Sequence, residues 1–297
     1  MPEERPHISV CICTYKRQEL LKRALDALGT QATEGLFTFS VVVVDNDAEE
    51  SGRATVADAS GLQLTYCVEP RQNIALARNK AVANAKGDFV AFLDDDEYPI
   101  REWLFTLFRV CQQYGVDGVL GPVKPYFESD PPEWVKKGRF FDRPTFGTGY
   151  KVNWDQARTG NVLFKRDILN AVDVPFRSEF DTAGEDVDFF RRVMEKGCTF
   201  VWCNEAVVYE VVPASRCNRR YLLKRALLRG SNFPKHPTHR LRNATKSLIA
   251  VPCYTLALPV LALFGQHLFL TYLIKLLDHS SRLLAYVGLS SVTRRQT

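Results

Sequence analysis

NIALARNKAVANAKGDFVAFLDDDE, residues 73–97, contains a helix, its stop signal, a strand and the strand's polar end in unbroken succession. Residues 74–85 are rich in helix formers, and Gly87 follows as the residue type that most readily ends a helix. Residues 88–93 then read as a buried strand, and Asp94-Asp95-Asp96-Glu97 comes at once after its last apolar residue. A helix returning into an apolar strand is the repeating unit of a mostly parallel sheet covered by helices, so the chain is predicted to be α/β.

The same alternation extends outward from this segment. Residues 7–13 are predicted as the first strand. Residues 17–29 follow as a helix, with Leu20, Leu21, Ala24, Leu25 and Leu28 at helical spacing before Gly29. Residues 40–44 form a second apolar strand that runs into Asp45-Asn46-Asp47, and residues 64–68 a third. Further on, the patterns predict a helix over 99–114, strands over 118–123 and 161–164, and a helix over 187–196. Residues 126–158 mix aromatic, Pro, Gly and charged residues without sustained periodicity and read as a long functional loop with little regular structure. Polar residues gather at the ends of three strands: Thr14 and Tyr15, Asp45 to Asp47, and Asp94 to Glu97. In open α/β sheets the ligand crevice lies outside those carboxyl ends.

With 297 residues and 46% hydrophobic content the chain can bury a sizeable core. Its eight cysteines form no C-x-x-C pair, which fits buried thiols in a reducing compartment. The opening MPEERPHISV places two glutamates before the first apolar run and does not read as a secretory signal, so the main domain is expected in the cytoplasm. The net charge is only +5, but residues 216–246 hold ten Lys and Arg and no Asp or Glu. A negatively charged partner is implied there. Residues 247–265 are almost continuously apolar, and a second run follows at 268–277. The first run reaches the length of a hydrocarbon crossing, although Pro252 and Pro259 would kink it. Two helices lying in or dipping into the membrane interface are expected; a full span and simple packing against the soluble domain are the competing readings. Next to such helices the basic stretch favours anionic lipid over nucleic acid. The expected division is a domain over 1–215 and a basic linker with membrane-associated helices over 216–297.

Clustered carboxylates repel one another and are best tolerated beside a cation. Mg²⁺ or Mn²⁺ commonly takes one or two protein carboxylates together with a substrate diphosphate. On charge alone a solvated acidic turn would explain the run equally well. The surrounding motifs change that weighing. ISVCICTYKR (8–17), VVVVDND (41–47), the 73–97 stretch, TGNVLFKRD (159–167) and GEDVDFFRRV (184–193) occur in an order and at intervals that resemble family 2 glycosyltransferases of the GT-A fold, over roughly residues 7–212. The family's usual Gly in the third motif is Ala75 here. More narrowly, VVVDNDAEESGRA, RQNIALARN, AFLDDDE and GVLGPV resemble bacterial exopolysaccharide glycosyltransferases of the succinoglycan-biosynthesis kind.

The resemblance implies a metal-dependent inverting transferase. It would move a hexose from a nucleotide sugar, a UDP-sugar by expectation, to a lipid-linked saccharide at the cytoplasmic face of the inner membrane, with no nucleic-acid partner. It assigns Thr14, Tyr15, Asp45, Arg78, Asp94, Asp95, Gly160 and Asn161 to the donor, Asp96 to an Mn²⁺ or Mg²⁺ ion, and Asp186 as base with Glu185 beside it. Asp188 reads as a capping or solvated residue. Some relatives carry a metal-binding His in the segment matching VVYEVVP (207–213), where this chain has Tyr209 and Glu210. His236 and His239 have the spacing of a metal pair but sit in basic surroundings. Trp134 and Trp154 are the plausible acceptor contacts among the tryptophans, and Trp103 and Trp202 read as core. The alternatives are a nucleotidyltransferase, which generally opens with a Gly-rich phosphate loop absent from ISVCICTYKRQE, and a non-catalytic sugar- or lipid-binding module of the same fold.

Overall fold

Val41 to Val44 and Phe89 to Leu93 are apolar on both faces, which commits them to strands covered on two sides. In the computed structural model, which describes residues 5–180, 184–232 and 240–289, both are central strands. In chain order the elements are β1 (His7–Thr14), α1 (Gln18–Leu28), β2 (Thr38–Asp45), α2 (Arg53–Asp58), β3 (Leu64–Val68), α3 (Ile74–Asn84), β4 (Phe89–Leu93), β5 (Glu97–Pro99), α4 (Trp103–Tyr114) and β6 (Gly118–Leu120). There follow β7 (Val123–Phe127), α5 (Glu133–Gly138), β8 (Asn161–Lys165), α6 (Glu185–Glu195), β9 (Phe200–Trp202), β10 (Val208–Val212), α7 (Arg219–Asn232), α8 (Arg240–Leu263) and α9 (Gln266–Tyr286).

The main sheet has the order β3-β2-β1-β4-β8-β6-β9. Strands β3, β2, β1 and β4 are parallel, β8 runs antiparallel to both β4 and β6, and β9 is parallel to β6. The register sets Thr14 beside Asp45, and Leu93 beside Asn161. The chain leaves β1 toward β2 on one side and reaches β4 on the other, so the strand order switches at β1, where a crevice opens at the carboxyl ends. Two apolar layers cover the faces. One is built on Leu21, Leu25, Leu28, Trp103 and Leu107, the other on Ala77, Ala81, Phe176, Phe189 and Phe190. A smaller sheet has the order β5-β10-β7.

Two predicted elements divide, both at proline. The helix expected over 99–114 begins at Trp103, because a residue before proline is pushed toward extended backbone and Tyr98-Pro99 becomes part of β5. The strand expected over 118–123 breaks at Gly121-Pro122 into β6 and β7, since proline cannot donate to a ladder.

The chain divides into two compact units: Met1–Pro125 with Arg143–Val211, and Tyr126–Asp142 with Val212–Thr297. The second unit takes up part of the stretch read as a loop. Val135 on α5 packs with Phe141, Val212 and Leu222, and Trp134, Phe140, Tyr221 and Ile274 close around them. Trp134 is partly buried in this packing, and Trp154, also partly buried, packs against the second sheet layer. Within this unit α7 and α9 are in close contact. A Cβ on Gly230 would lie 2.4 Å from the Asp278 carbonyl oxygen, and Ser281 Oγ donates to the Leu227 carbonyl at 2.7 Å. Asp278 pairs with Arg229 at 2.9 Å and Arg282 at 3.0 Å. The second apolar run thus packs against α7, and on another side against α8, where Ser247 Oγ and His279 Nδ1 are 2.9 Å apart and Tyr254 lies edge-on to Tyr272. α8 is different: among the described residues, its segment Arg242–Leu263 is the one helix long and apolar enough to cross a membrane. Leu248, Ile249, Leu256, Val260 and Leu263 on it are all exposed.

Candidate active site

The site is built where β1, β2 and β4 end. Each of these strands is fixed by apolar residues on both faces, so the first polar residue after each one emerges at the same edge of the sheet. At the end of β1, Thr14 is buried and its Oγ1 donates to Asp95 Oδ2 at 2.9 Å. Arg17 reaches the same carboxylate, Nη1 to Oδ1 at 2.8 Å, and lies 3.3 Å from Asp96 Oδ2. Burial pushes the Asp95 carboxyl up to about 6, against the pull of Arg17. Tyr15 is half-buried beside them.

At the end of β2 the fully buried Asp45 is committed to its own loop. It accepts from the backbone of Gly52 at 2.6 Å and of Asp47 at 3.1 Å, and from the Tyr66 hydroxyl at 2.8 Å. Its neighbour Asn46 carries the next connection: Nδ2 donates to the carbonyls of Glu69 and Arg71, and Oδ1 accepts from the backbone of Asn73 at 2.9 Å. Asn73 in turn caps α3, its side-chain oxygen accepting from Ala75 and Leu76 at 2.9 and 3.2 Å.

From α3, Arg78 points inward, contacting Glu185 through Nη1 and Asp94 Oδ1 through Nη2 at 3.4 Å. One buried guanidinium therefore joins the acidic run after β4 to the acidic pair that opens α6. Burial works against the Arg78 charge, but Glu185 and Asp94 more than offset it and hold its pKa above the ordinary arginine value. Burial likewise raises Glu185, with Arg78 pulling the other way. Asn79 makes a two-way contact one residue on: its Nδ2 donates to the Phe176 carbonyl at 2.6 Å, and Phe176 N–H donates back at 2.9 Å. With Asn73 Nδ2 on the Ser178 carbonyl at 3.0 Å, this ties the segment leading to α6 onto α3. The N-cap of α6 is Gly184 at φ +104, a backbone region glycine adopts without strain. Asp186, in the first helical turn, is half-exposed and its Oδ1 accepts from the Val187 backbone at 2.8 Å. Asp188 is neither a cap nor solvated. It is buried among Arg191 at 3.0 Å, Arg192 at 2.7 Å and Arg177 at 3.8 Å, and Arg192 further holds the Val174 carbonyl at 2.8 Å.

Gly160, just before β8, faces the acidic run that follows the paired strand β4. A Cβ there would lie 2.7 Å from Glu97 Oε1 and 3.2 Å from Asp94 Oδ2, so the small residue keeps this floor clear. The Asn161 side chain belongs to the scaffold. Its amide accepts from Trp103 Nε1 at 2.8 Å and donates to the carbonyls of Pro122 and Ala206 at 3.0 and 2.7 Å. Glu97 is buried under the run, pushed well up by burial and by Asp94, with Arg143 opposing. Arg143 pairs with Glu210 and comes within 3.9 Å of Glu97 Oε1. Sequence reasoning gave Arg143 and Glu97 no role, and Arg143 sits in a stretch without periodicity that offered no signal.

Among the described residues no three His, Cys, Asp or Glu side chains converge into a closed metal cage. A hard cation shared with a substrate diphosphate needs fewer protein ligands. The donor set fits that kind of ion: successive carboxylates at a strand end, Glu97 Oε1 buried without a hydrogen bond among the described residues, and a guanidinium standing as counter-ion to Asp95 and Asp96. His236 and His239 lie outside the described residues.

A profile described as Glycosyl transferase family 2 matches residues 9–172. The succinoglycan biosynthesis protein ExoM of Rhizobium meliloti is 35% identical over 266 residues, which is 84% of this chain and 82% of that protein. Glycosyltransferase AglE of Haloferax volcanii is 25% identical over 210 residues, covering 70% of this chain and 67% of its own length. Among solved structures, S. aureus TarS 1–349 in complex with UDP aligns with a TM-score of 0.55 over 95% of this chain and 90% of that one, at 18% identity, a likeness of fold.

Proposed function

This chain belongs to glycosyl transferase family 2, and from that premise we propose that it is an inverting hexosyltransferase using a nucleoside-diphosphate sugar, UDP-linked by preference, and a divalent cation. The observation that carries the reading is the Arg78 bridge, because it holds Asp94 and the Glu185-Asp186 pair around one point at the switch of the sheet. Donor and acceptor chemistry must meet at such a point.

Thr14, Tyr15, Asp94, Asp95 and the Gly160 backbone line the donor side. Asp45 acts by fixing the loop after β2, which shapes the base pocket, and Arg78 by holding the two acidic segments together. Asp96, with a second oxygen from the run, would hold Mn²⁺ or Mg²⁺, which supplies neutralising charge for the departing diphosphate. With Glu185 engaged by Arg78, Asp186 is the base. Its carboxylate takes the proton of the acceptor hydroxyl as that oxygen forms a bond to the anomeric carbon, and the bond from that carbon to the diphosphate oxygen breaks on the opposite face. The leaving nucleoside diphosphate carries the electron pair away.

The acceptor is a lipid-linked saccharide of bacterial surface or exopolysaccharide synthesis. The relative named for succinoglycan biosynthesis supports this, as does the exposed apolar stripe of α8. The Met1–Pro125 and Arg143–Val211 unit is the transferase. The C-terminal helices hold it at the cytoplasmic face of the inner membrane, with α8 in contact with lipid and the Lys and Arg of residues 216–246 near anionic headgroups. Detergent-solubilised protein incubated with a panel of nucleotide sugars should release nucleoside diphosphate from one donor in Mn²⁺ or Mg²⁺. Release should stop on chelation with EDTA and in Asp96→Ala. Turnover that ignores both would remove the cation from the mechanism.

A further inference from the structure

Arg17 occupies an unusual position for a surface residue at the start of a helix. It stands at the N-cap of α1, and its guanidinium turns away from that helix to touch two consecutive carboxylates. Nη1 is 2.8 Å from Asp95 Oδ1 and 3.3 Å from Asp96 Oδ2, and both carboxylates are largely buried. The Arg17 side chain remains 43% exposed, so the positive charge arrives from the solvent side and can withdraw without opening the core. Asp95 has a second anchor in Thr14 and keeps its place when the guanidinium leaves.

We propose that Arg17 is a built-in counter-cation for the acidic run, displaced when the divalent ion and the nucleotide diphosphate bind. The inference rests on the reading of Asp96 as the metal ligand. A guanidinium and a divalent ion cannot share the Asp96 oxygen, because two positive charges a few ångströms apart repel strongly at a half-buried site. The charge of the bare acidic run is thereby partly offset, and the ion gains a full hold only when a diphosphate arrives to accept the freed guanidinium. Arg17 is a binding residue in this scheme, holding the carboxylates of the empty site and the diphosphate of the loaded one. It couples metal affinity to nucleotide occupancy, and the coupling is reciprocal by linkage.

The test is Mn²⁺ binding followed by the loss of the free-ion electron paramagnetic resonance signal, with and without UDP, in the full-length protein. Wild type should bind Mn²⁺ weakly alone and much more tightly with UDP. Arg17→Gln should bind Mn²⁺ alone about tenfold more tightly, and its UDP enhancement should shrink by a similar factor. Arg17→Lys, which keeps the charge, should stay near wild type. Lys16→Gln removes the neighbouring charge, whose Nζ lies 3.8 Å from Asp47 and 3.5 Å from Glu49, and should shift Mn²⁺ affinity by less than about twofold. An unchanged affinity in Arg17→Gln, or an equal gain in Lys16→Gln, overturns the proposal while leaving the metal reading intact. Wild type that binds no Mn²⁺ even with UDP overturns both.

Discussion

The sheet of the first unit and helix α8 of the second use the same apolar residues to opposite ends. In the sheet, Val10, Val41, Val43 and Leu163 have no exposure, whereas Leu256 and Leu263 on α8 are 79% and 85% exposed. Burying a leucine is worth about 1.5–3 kcal/mol, so the first region is stabilised from within and the second leaves that energy to be gained elsewhere. Exposed apolar stripes of this kind mark surfaces that meet a lipid or a partner. The difference separates the proposed chemistry from the proposed placement: the polar strand ends converge within the first unit, and α8 of the second presents the apolar surface assigned above to lipid.

The comparison breaks first if chemistry is not confined to the first unit. Asp186→Asn should lower kcat by about 10²- to 10⁴-fold with donor affinity retained, measured by steady-state kinetics and by titration with UDP. Next in size is the stability of the site. Arg78→Met leaves Glu185 buried without its partner and should cost about 3–5 kcal/mol in urea unfolding. Arg78→Met combined with Glu185→Gln should recover a large part of that loss, since the unpaired charge is then gone. The smallest effect on folding belongs to α8. Leu256→Asp with Leu263→Asp should leave the unfolding free energy within about 0.5 kcal/mol, because neither side chain is buried. The same pair should reduce binding to anionic phospholipid vesicles by about tenfold or more, read by co-sedimentation. Equal vesicle binding would dissolve the contrast between the two regions.

What could be read from the chain follows from sequence distance. The strand ends were legible because a run such as Val41 to Val44 and the polar residue that stops it are neighbours, and a sheet turns that local pattern into a shared edge. The order of the five motifs carried the family. The contacts that assemble the site span much longer intervals: Arg78 to Glu185 across 107 residues, Asn79 to Phe176 across 97, and Arg143 to Glu210 across 67. No local period encodes such pairings. Asn161 illustrates the limit, since its motif is read as lining the donor side while its amide is consumed by Trp103, Pro122 and Ala206. Asp188 illustrates another: a carboxylate in the first turn of a helix reads as a cap until three arginines are found around it. Helix α5 has six residues, too few to show a period, and its place is set by packing against Phe141 and Leu222.

The central claim is single-displacement transfer at one site, with Asp186 as base. It is tested most directly by proton NMR of the anomeric signal of the first-formed product when the active nucleotide sugar is turned over with membrane lipid extract as acceptor. The account predicts that an α-linked donor yields a β-configured product, and that Asp186→Asn forms none on the same timescale. An α-configured product from the wild-type protein would contradict it.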